Sequence, residues 1–201
     1  MNIFYISDLH INHDNVIRFD NRPFKNIQDM WIAIRDNWNS KVCPSDTVYI
    51  LGDFIWSKEP TWSFYIKQLN GKKILVRGNH DPKEFSKETR QLFDKIAETL
   101  EITDSGRHVI MSHYPMLAHK GDYNSDVYML YGHVHKTREL DYTQEFRNII
   151  RSRIAGNRGE PLGQILHVGC MEPYMNYTPR TLDEIIAGDA IQYPLPAQMN
   201  T

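Results

Sequence analysis

The feature that most constrains this chain is a local pattern used five times. Apolar, strand-like runs stop abruptly at Asp, His or Asn. Ile3-Phe4-Tyr5-Ile6 ends at Ser7-Asp8-Leu9-His10, and Thr47 to Leu51 ends at Gly52-Asp53. Lys73 to Arg77 is closed by Gly78-Asn79-His80-Asp81. Arg107 to Met111 ends at Ser112-His113, and Val127 to Tyr131 at Gly132-His133-Val134-His135. Short apolar runs bounded by turn residues read as buried strands. In open α/β sheets, ligands bind beyond the carboxyl ends of the strands. The pattern therefore predicts that Asp, His and Asn side chains from five segments gather at one edge of a sheet.

Helical periodicity fills the gaps. Ile27, Met30, Trp31, Ile34 and Trp38 recur at helical spacing. Trp62, Tyr65, Ile66 and Leu69 mark a second helix, with Gly71 at its C′ position. These three tryptophans read as core. Leu92, Phe93 and Ile96 suggest a third helix. Asp104-Ser105-Gly106, between two extended arms, reads as a hairpin turn, and Gln164 to Val168 as a last strand. Asn12 to Pro23 is rich in turn residues. Lys136 to Pro161 shows little periodicity and reads as a long excursion, a solvated loop rather than a basic lid, although it carries Arg138, Arg147 and Arg151. Strands alternating with helices, then hairpins, predict an α/β layered domain over residues 1–192 with mixed sheets. Residues 193–201 read as a loose tail.

Composition narrows the function. With 41% apolar and 11% aromatic residues, global disorder is excluded. Lys+Arg is 23 and Asp+Glu is 25, so bulk charge points to neither nucleic acid nor membrane. No apolar run approaches the roughly 18 residues that span a bilayer. Met1 to Ile11 lacks the charged start of a signal peptide. Nine His against two Cys favour nitrogen-and-oxygen metal chemistry over thiolate sites. Cys43 and Cys170 fit no metal spacing and read as reduced thiols in a cytoplasmic protein.

Any one of the five segments has a mundane reading. An isolated Asp-x-His is usually a turn, and a lone His after a strand is usually a hydrogen-bonded core residue. Gly-His-x-His is stronger, because alternate residues of a strand point to one side. The complete ordered set argues for a shared site. Gly52, Gly78 and Gly132 each precede the first polar residue of their segment. There the missing Cβ permits a sharp turn and a close approach to an ion.

That ordered set resembles the calcineurin-like metallophosphoesterase superfamily, and within it the small single-domain bacterial and phage-type enzymes. The resemblance implies a four-layer α/β/β/α sandwich and two divalent metal ions. Asp8, His10 and His135 would hold one ion, Asn79, His113 and His133 the other, and Asp53 would bridge them. Such ions lie about 3.5–4 Å apart and need a shared anion between them. The ligand set suits Mn first, with Fe, Zn, Ni or Co as alternatives. A metal-bridging hydroxide would attack phosphorus, and His80 would protonate the leaving oxygen. Asp81 fills the acidic slot beside it, as an orienter more than a ligand.

The protein phosphatases of the superfamily continue Gly-Asp into Asp-Arg-Gly. Here Phe54-Ile55-Trp56-Ser57 follows instead. The expectation is therefore a hydrolase that leans to phosphodiesters of nucleotide-like compounds. A phosphomonoesterase is the enzymatic alternative, and a non-catalytic metal-binding scaffold the alternative of another class. The expected partner is a small phosphate ester, with no membrane and no extended nucleic acid. The small enzymes share the extension around His13-Asp14-Asn15, which places His13 and Asn15 beside the metals. Arg18 and Arg22 would either bind substrate phosphate or form surface salt bridges. His108 and His167, inside strand patterns, read as structural.

Overall fold

The computed structural model describes residues 1–153 and 164–194. It contains two four-stranded sheets. The first runs β1 (Ile3–Ile6), β2 (Thr47–Ile50), β3 (Lys72–Val76), β4 (Lys95–Ala97), all parallel. The second runs β5 (Thr99–Asp104), β6 (Arg107–Ser112), β7 (Val127–Tyr131), β8 (Ile165–His167). Its β5–β6 pair is the expected antiparallel hairpin, and β6, β7 and β8 are parallel. The helices are α1 (Asp14–Phe19), α2 (Ile27–Lys41), α3 (Trp62–Ile66), α4 (Lys87–Arg90), α5 (Arg138–Arg153) and α6 (Leu182–Gln192).

Side-chain alternation builds the layers. In the second sheet Val109, Met111, Leu130 and Leu166 join the main core with β1 and β2. Their neighbours Ile110, Met129, Tyr131 and Ile165 form a second core, against which Leu140 and Phe146 of α5 pack. Helix α2 contributes Met30, Trp31, Ile34 and Trp38 to the main core. The result is the α/β/β/α sandwich. β2 is buried at all four positions, which explains its unbroken apolar run. The two sheets meet where Ser7 bridges Gly169 in parallel fashion and Tyr5 pairs with Arg180. No helix among the described residues is long and apolar enough to cross a membrane.

Several expectations are corrected. The third helix stops at Arg90, and Ile96 belongs to β4, an edge strand paired with β3. Leu92 and Phe93 lie in the turn between them, with Phe93 buried in the core. The excursion after Lys136 begins with a helix, α5. Its inward positions include Leu140, Thr143, Phe146 and Arg147, so two polar residues interrupt the apolar stripe of the helix. Arg147 is buried against Asp189 of α6, at 2.7 Å to each carboxylate oxygen, and is no part of a lid. Residues 154–161 of the excursion lie outside the described residues. The turn-rich stretch holds α1. Helix α6 adds an element beyond those expected, and Thr181 and Glu184 form a capping box at its start. Tyr193 is tied down, its hydroxyl donating to Glu172 Oε2 at 3.1 Å. Residues 195–201 of the expected tail lie outside the described residues.

Candidate metal centre and active site

The polar residues do gather, but at the ends of two sheets rather than the edge of one. Strands β1, β2 and β3 deliver Asp8, His10, Asp53, Asn79 and His80 from the first sheet. Strands β6 and β7 deliver His113, His133 and His135 from the second. The backbone is strained where they emerge. Asp8, His10, Asp53 and His133 have φ of 56°, 46°, 50° and 69°. A residue other than glycine held in such a region costs on the order of 1–3 kcal/mol and persists only where its surroundings over-determine it. Here the surroundings are hydrogen bonds between loops. Asp8 N–H donates to the Gly52 carbonyl at 3.1 Å and His10 N–H to the Asp53 carbonyl at 2.9 Å. His133 N–H donates to both Asp8 carboxylate oxygens at 3.0 Å. Gly52, at φ 88°, has no room for a side chain: a Cβ would sit 2.4 Å from His113 Nδ1 and 2.6 Å from Gly78 Cα. The glycines thus crowd each other and the ligand side chains.

One half of the site is Asp8, His10 and His135, whose donor atoms lie within 4.8 Å of one another. His10 Nε2 faces His135 Nε2 at 3.2 Å. His135 Nδ1 is 3.1 Å from Asp20 Oδ2. Burial pushes the His10 imidazole down to about 2, so it stays neutral with a lone pair to offer. Burial works against the charge of Asp8, but His113, His135, His167 and His10 outweigh it and hold the carboxyl at about 2.

The other half is Asn79, His113 and His133. His113 Nδ1 is 2.8 Å from the Leu51 carbonyl, which can only accept, so in the neutral ring Nε2 is the lone pair. That lone pair faces Asn79 Oδ1 at 2.9 Å, and Asn79 Oδ1 faces His133 Nδ1 at 3.0 Å. Asp53 Oδ2 stands between the halves, 3.5 Å from His10 Nε2 and 3.6 Å from His113 Nε2. This is where a bridging carboxylate has to be. Asp8, Asp53 and His113 also form a group of their own within 4.8 Å, so Asp8 reaches both halves. Lone pairs converging at such distances fit divalent cations, and an all-nitrogen-and-oxygen donor set fits Mn, Fe, Co, Ni or Zn.

The remaining candidates separate clearly. His80 is 44% exposed at its side chain, with Nε2 4.0 Å from Asp53 Oδ2. Its N–H donates to Asp53 Oδ1 at 2.9 Å. Asp81 is buried and points away from the donors. Its carboxylate accepts from the N–H groups of Gly78, Asp53 and Phe54 at 2.8, 3.1 and 3.0 Å. It clamps the β2 and β3 loops together, and burial pushes its carboxyl up to about 6. His13 lies near His10, with ring centroids 5.5 Å apart. Asn15 and Arg18 are exposed on α1 and bonded to each other.

Arg22 is a correction. Its side chain is fully buried beneath the site and available to no substrate. Nε and Nη2 bond Asp20 Oδ2 at 3.1 and 3.0 Å. Nη1 and Nη2 also donate to the carbonyls of Leu9 and Asp8, both at 2.8 Å. Asp20, which was not singled out from sequence, is thus set between a buried cation and a candidate ligand. Sequence reasoning also passed over Trp56 and Tyr114. The Tyr114 ring lies 4.5 Å from that of His133.

Comparisons with known proteins place the chain in a family. The family model of the calcineurin-like phosphoesterase superfamily domain matches residues 1–167. An uncharacterized protein of Methanocaldococcus jannaschii is 33% identical over 143 residues, 70% of this chain and 73% of that protein. The gene 66 protein of Mycobacterium phage L5 is 29% identical over 144 residues, 62% of this chain and 67% of its own. A solved structure of a protein of unknown function from Aquifex aeolicus superposes with a TM-score of 0.63 at 26% identity, covering 92% of this chain and 97% of that one. The chain belongs to the calcineurin-like phosphoesterase superfamily, and its chemistry is the hydrolysis of phosphate esters.

Proposed function

We propose that this protein is a two-metal-dependent hydrolase of small phosphate esters, with phosphodiesters of nucleotide-like compounds as its preferred class. One observation carries the reading: nitrogen and oxygen donors converge in two groups with Asp53 Oδ2 between them, 3.5 Å from His10 and 3.6 Å from His113. Asp8, His10 and His135 would hold one ion, Asn79, His113 and His133 the other, and Asp53 both. Manganese is the first candidate. Divalent ions held there supply Lewis acidity for the phosphoryl oxygen and make hydroxide available near neutral pH.

The chain's own residues do the rest. Asp20 and the Leu51 carbonyl fix the orientations of the His135 and His113 rings. Asp81 sets the spacing between the Asp53 and Asn79 loops. His80 is anchored by its backbone while its ring faces solvent, so it can deliver a proton to a leaving oxygen and recover one from water. The diester preference is supported by the absence of the protein-phosphatase continuation after Gly52-Asp53. The free thiols Cys43 and Cys170 suit a reducing, cytoplasmic setting.

The test is a metal screen crossed with bis-p-nitrophenyl phosphate and p-nitrophenyl phosphate. Manganese-dependent turnover, faster on the diester and lost in Asp53→Asn, is the expected result. Turnover of the monoester alone would reverse the preference. A protein that binds metal and hydrolyses neither would be a scaffold.

A further inference from the structure

Beside the metal ligands stands a ring that the hydrolytic chemistry does not require. Trp56 leaves 41% of its surface exposed, whereas Trp31, Trp38 and Trp62 are buried. It is nevertheless held in place. The His13 imidazole lies flat against the indole, with centroids 4.0 Å apart and planes within 8°. The His80 ring meets the indole edge-on at 4.7 Å, and the His10 ring is 6.2 Å away. Phe19, 52% exposed, closes on His13 edge-on at 5.7 Å.

The backbone fixes this arrangement. The loops after β1 and β2 run side by side, with Ile11 bridging Ile55 in parallel fashion. Ile11 N–H donates to the Phe54 carbonyl at 3.0 Å, and Trp56 N–H to the Ile11 carbonyl at 2.7 Å. The same pairing that brings His10 to Asp53 therefore brings His13 to Trp56. His13 Nδ1 is buried with no hydrogen-bond partner among the described residues, so the imidazole serves there as a flat surface.

We propose that Trp56, stacked in advance on His13, is a subsite for a flat aromatic group carried by the substrate, a nucleobase or aryl ring on the leaving side beside His80. This rests on the phosphoesterase reading above and deepens it. A ring already ordered by a neighbour loses little freedom on receiving a ligand, which is the condition for efficient stacking. Base–aromatic stacking tolerates any base, because every base has a π-face. The subsite therefore selects a class, nucleoside and aryl phosphate esters, against sugar and alkyl phosphate esters, which have no face to present.

The experiment is calorimetric binding to the full chain saturated with manganese, using AMP, phenyl phosphate, ribose 5-phosphate and inorganic phosphate. AMP should bind about 10-fold more tightly than ribose 5-phosphate, the range that one stacked base supplies. Trp56→Ala should bring AMP to the level of ribose 5-phosphate while phosphate affinity stays where it was, and Trp56→Phe should keep most of the difference. A gain for phenyl phosphate like that for AMP would show that any ring suffices. Equal binding of AMP and ribose 5-phosphate by the wild type, or a preference that survives Trp56→Ala, would overturn the proposal. Because binding is read rather than turnover, a protein that prefers AMP yet hydrolyses nothing would keep this subsite and refute the hydrolase.

Discussion

Two buried arginine–aspartate pairs in this protein look alike and do different things. Arg22 pairs with Asp20 beneath the candidate metal centre, and Arg147 pairs with Asp189 between α5 and α6. All four side chains are almost wholly shielded from water. The partners beyond each pair differ. Arg22 also holds the carbonyls of Asp8 and Leu9, and Asp20 reaches His135. Arg147 also holds Gln144, one turn back on its own helix. The first pair therefore ties a buried charge to the strained segment carrying Asp8 and His10, and to the ring of His135. The second joins two helices. An ion pair's worth to function lies in what its outer atoms touch.

The largest expected effect comes from Arg22→Ala, which combines both consequences. It takes the guanidinium away from Asp20 in the interior and orphans two carbonyls. Breaking a buried pair from one side costs about 3–5 kcal/mol. Urea unfolding should show that loss, and manganese titration a weakened site. Unchanged stability with weaker substrate binding would return Arg22 to a substrate-facing role. Arg147→Ala should lose a similar 3–5 kcal/mol but leave the manganese affinity of the folded protein unchanged. A metal defect there would erase the distinction between the pairs.

Asp20→Asn comes next and sharpens the contrast within the site. Removing the outer partner of a metal-bound histidine typically costs 10–100-fold in affinity. Asp20 touches His135, in the half with Asp8 and His10, whereas His113 is oriented by the Leu51 carbonyl, which no side-chain change removes. In a calorimetric titration that resolves one manganese-binding event for each half, the event at the Asp8–His10–His135 half should weaken and the other hold. Equal weakening of both would mean that the halves do not bind separately.

These two arginines also show what the sequence discloses. The donor set was legible because each of its five segments directly follows an apolar strand, three of them through a glycine, and that is a local pattern. Burial of Arg22 was not, because it depends on Asp20 and on carbonyls of a strand end that only folding brings above it. Arg147 misled for a related reason. With Thr143 it occupies inward positions of α5, so the helix has no continuous apolar stripe to read. Helix α6 has a readable trace in the sequence, the Thr181–Glu184 capping box. The Trp56–His13 stack left none, since all of α2 and β2 separates the two rings in the chain.

The smallest effect concerns the chemistry around the second pair and is a matter of pH. Glu172 lies in the same buried region, with Oε1 2.8 Å from His167 Nδ1 and Oε2 accepting from Gln192 at 2.7 Å and Tyr193 at 3.1 Å. Burial pushes its carboxyl up, but His167, Gln192 and Tyr193 together outweigh burial and leave it below the ordinary 4.5. A carboxyl lowered by folding stabilises the native state fully above its unfolded value and loses that contribution as pH falls through the lowered one. Glu172→Gln should therefore be less stable than wild type near neutrality, and the gap should close as pH drops below 4.5. Urea midpoints measured from about pH 3 to pH 7 would follow it. The ion-pair comparison adds a condition. Manganese affinity at neutral pH should be the same in Glu172→Gln and wild type, because Glu172 belongs to the cluster that braces helices. A gap that widened in acid would mean that His167 and its neighbours do not hold the charged form. A shift in manganese affinity would mean that the two buried clusters communicate through β8 and the Gly169–Ser7 bridge.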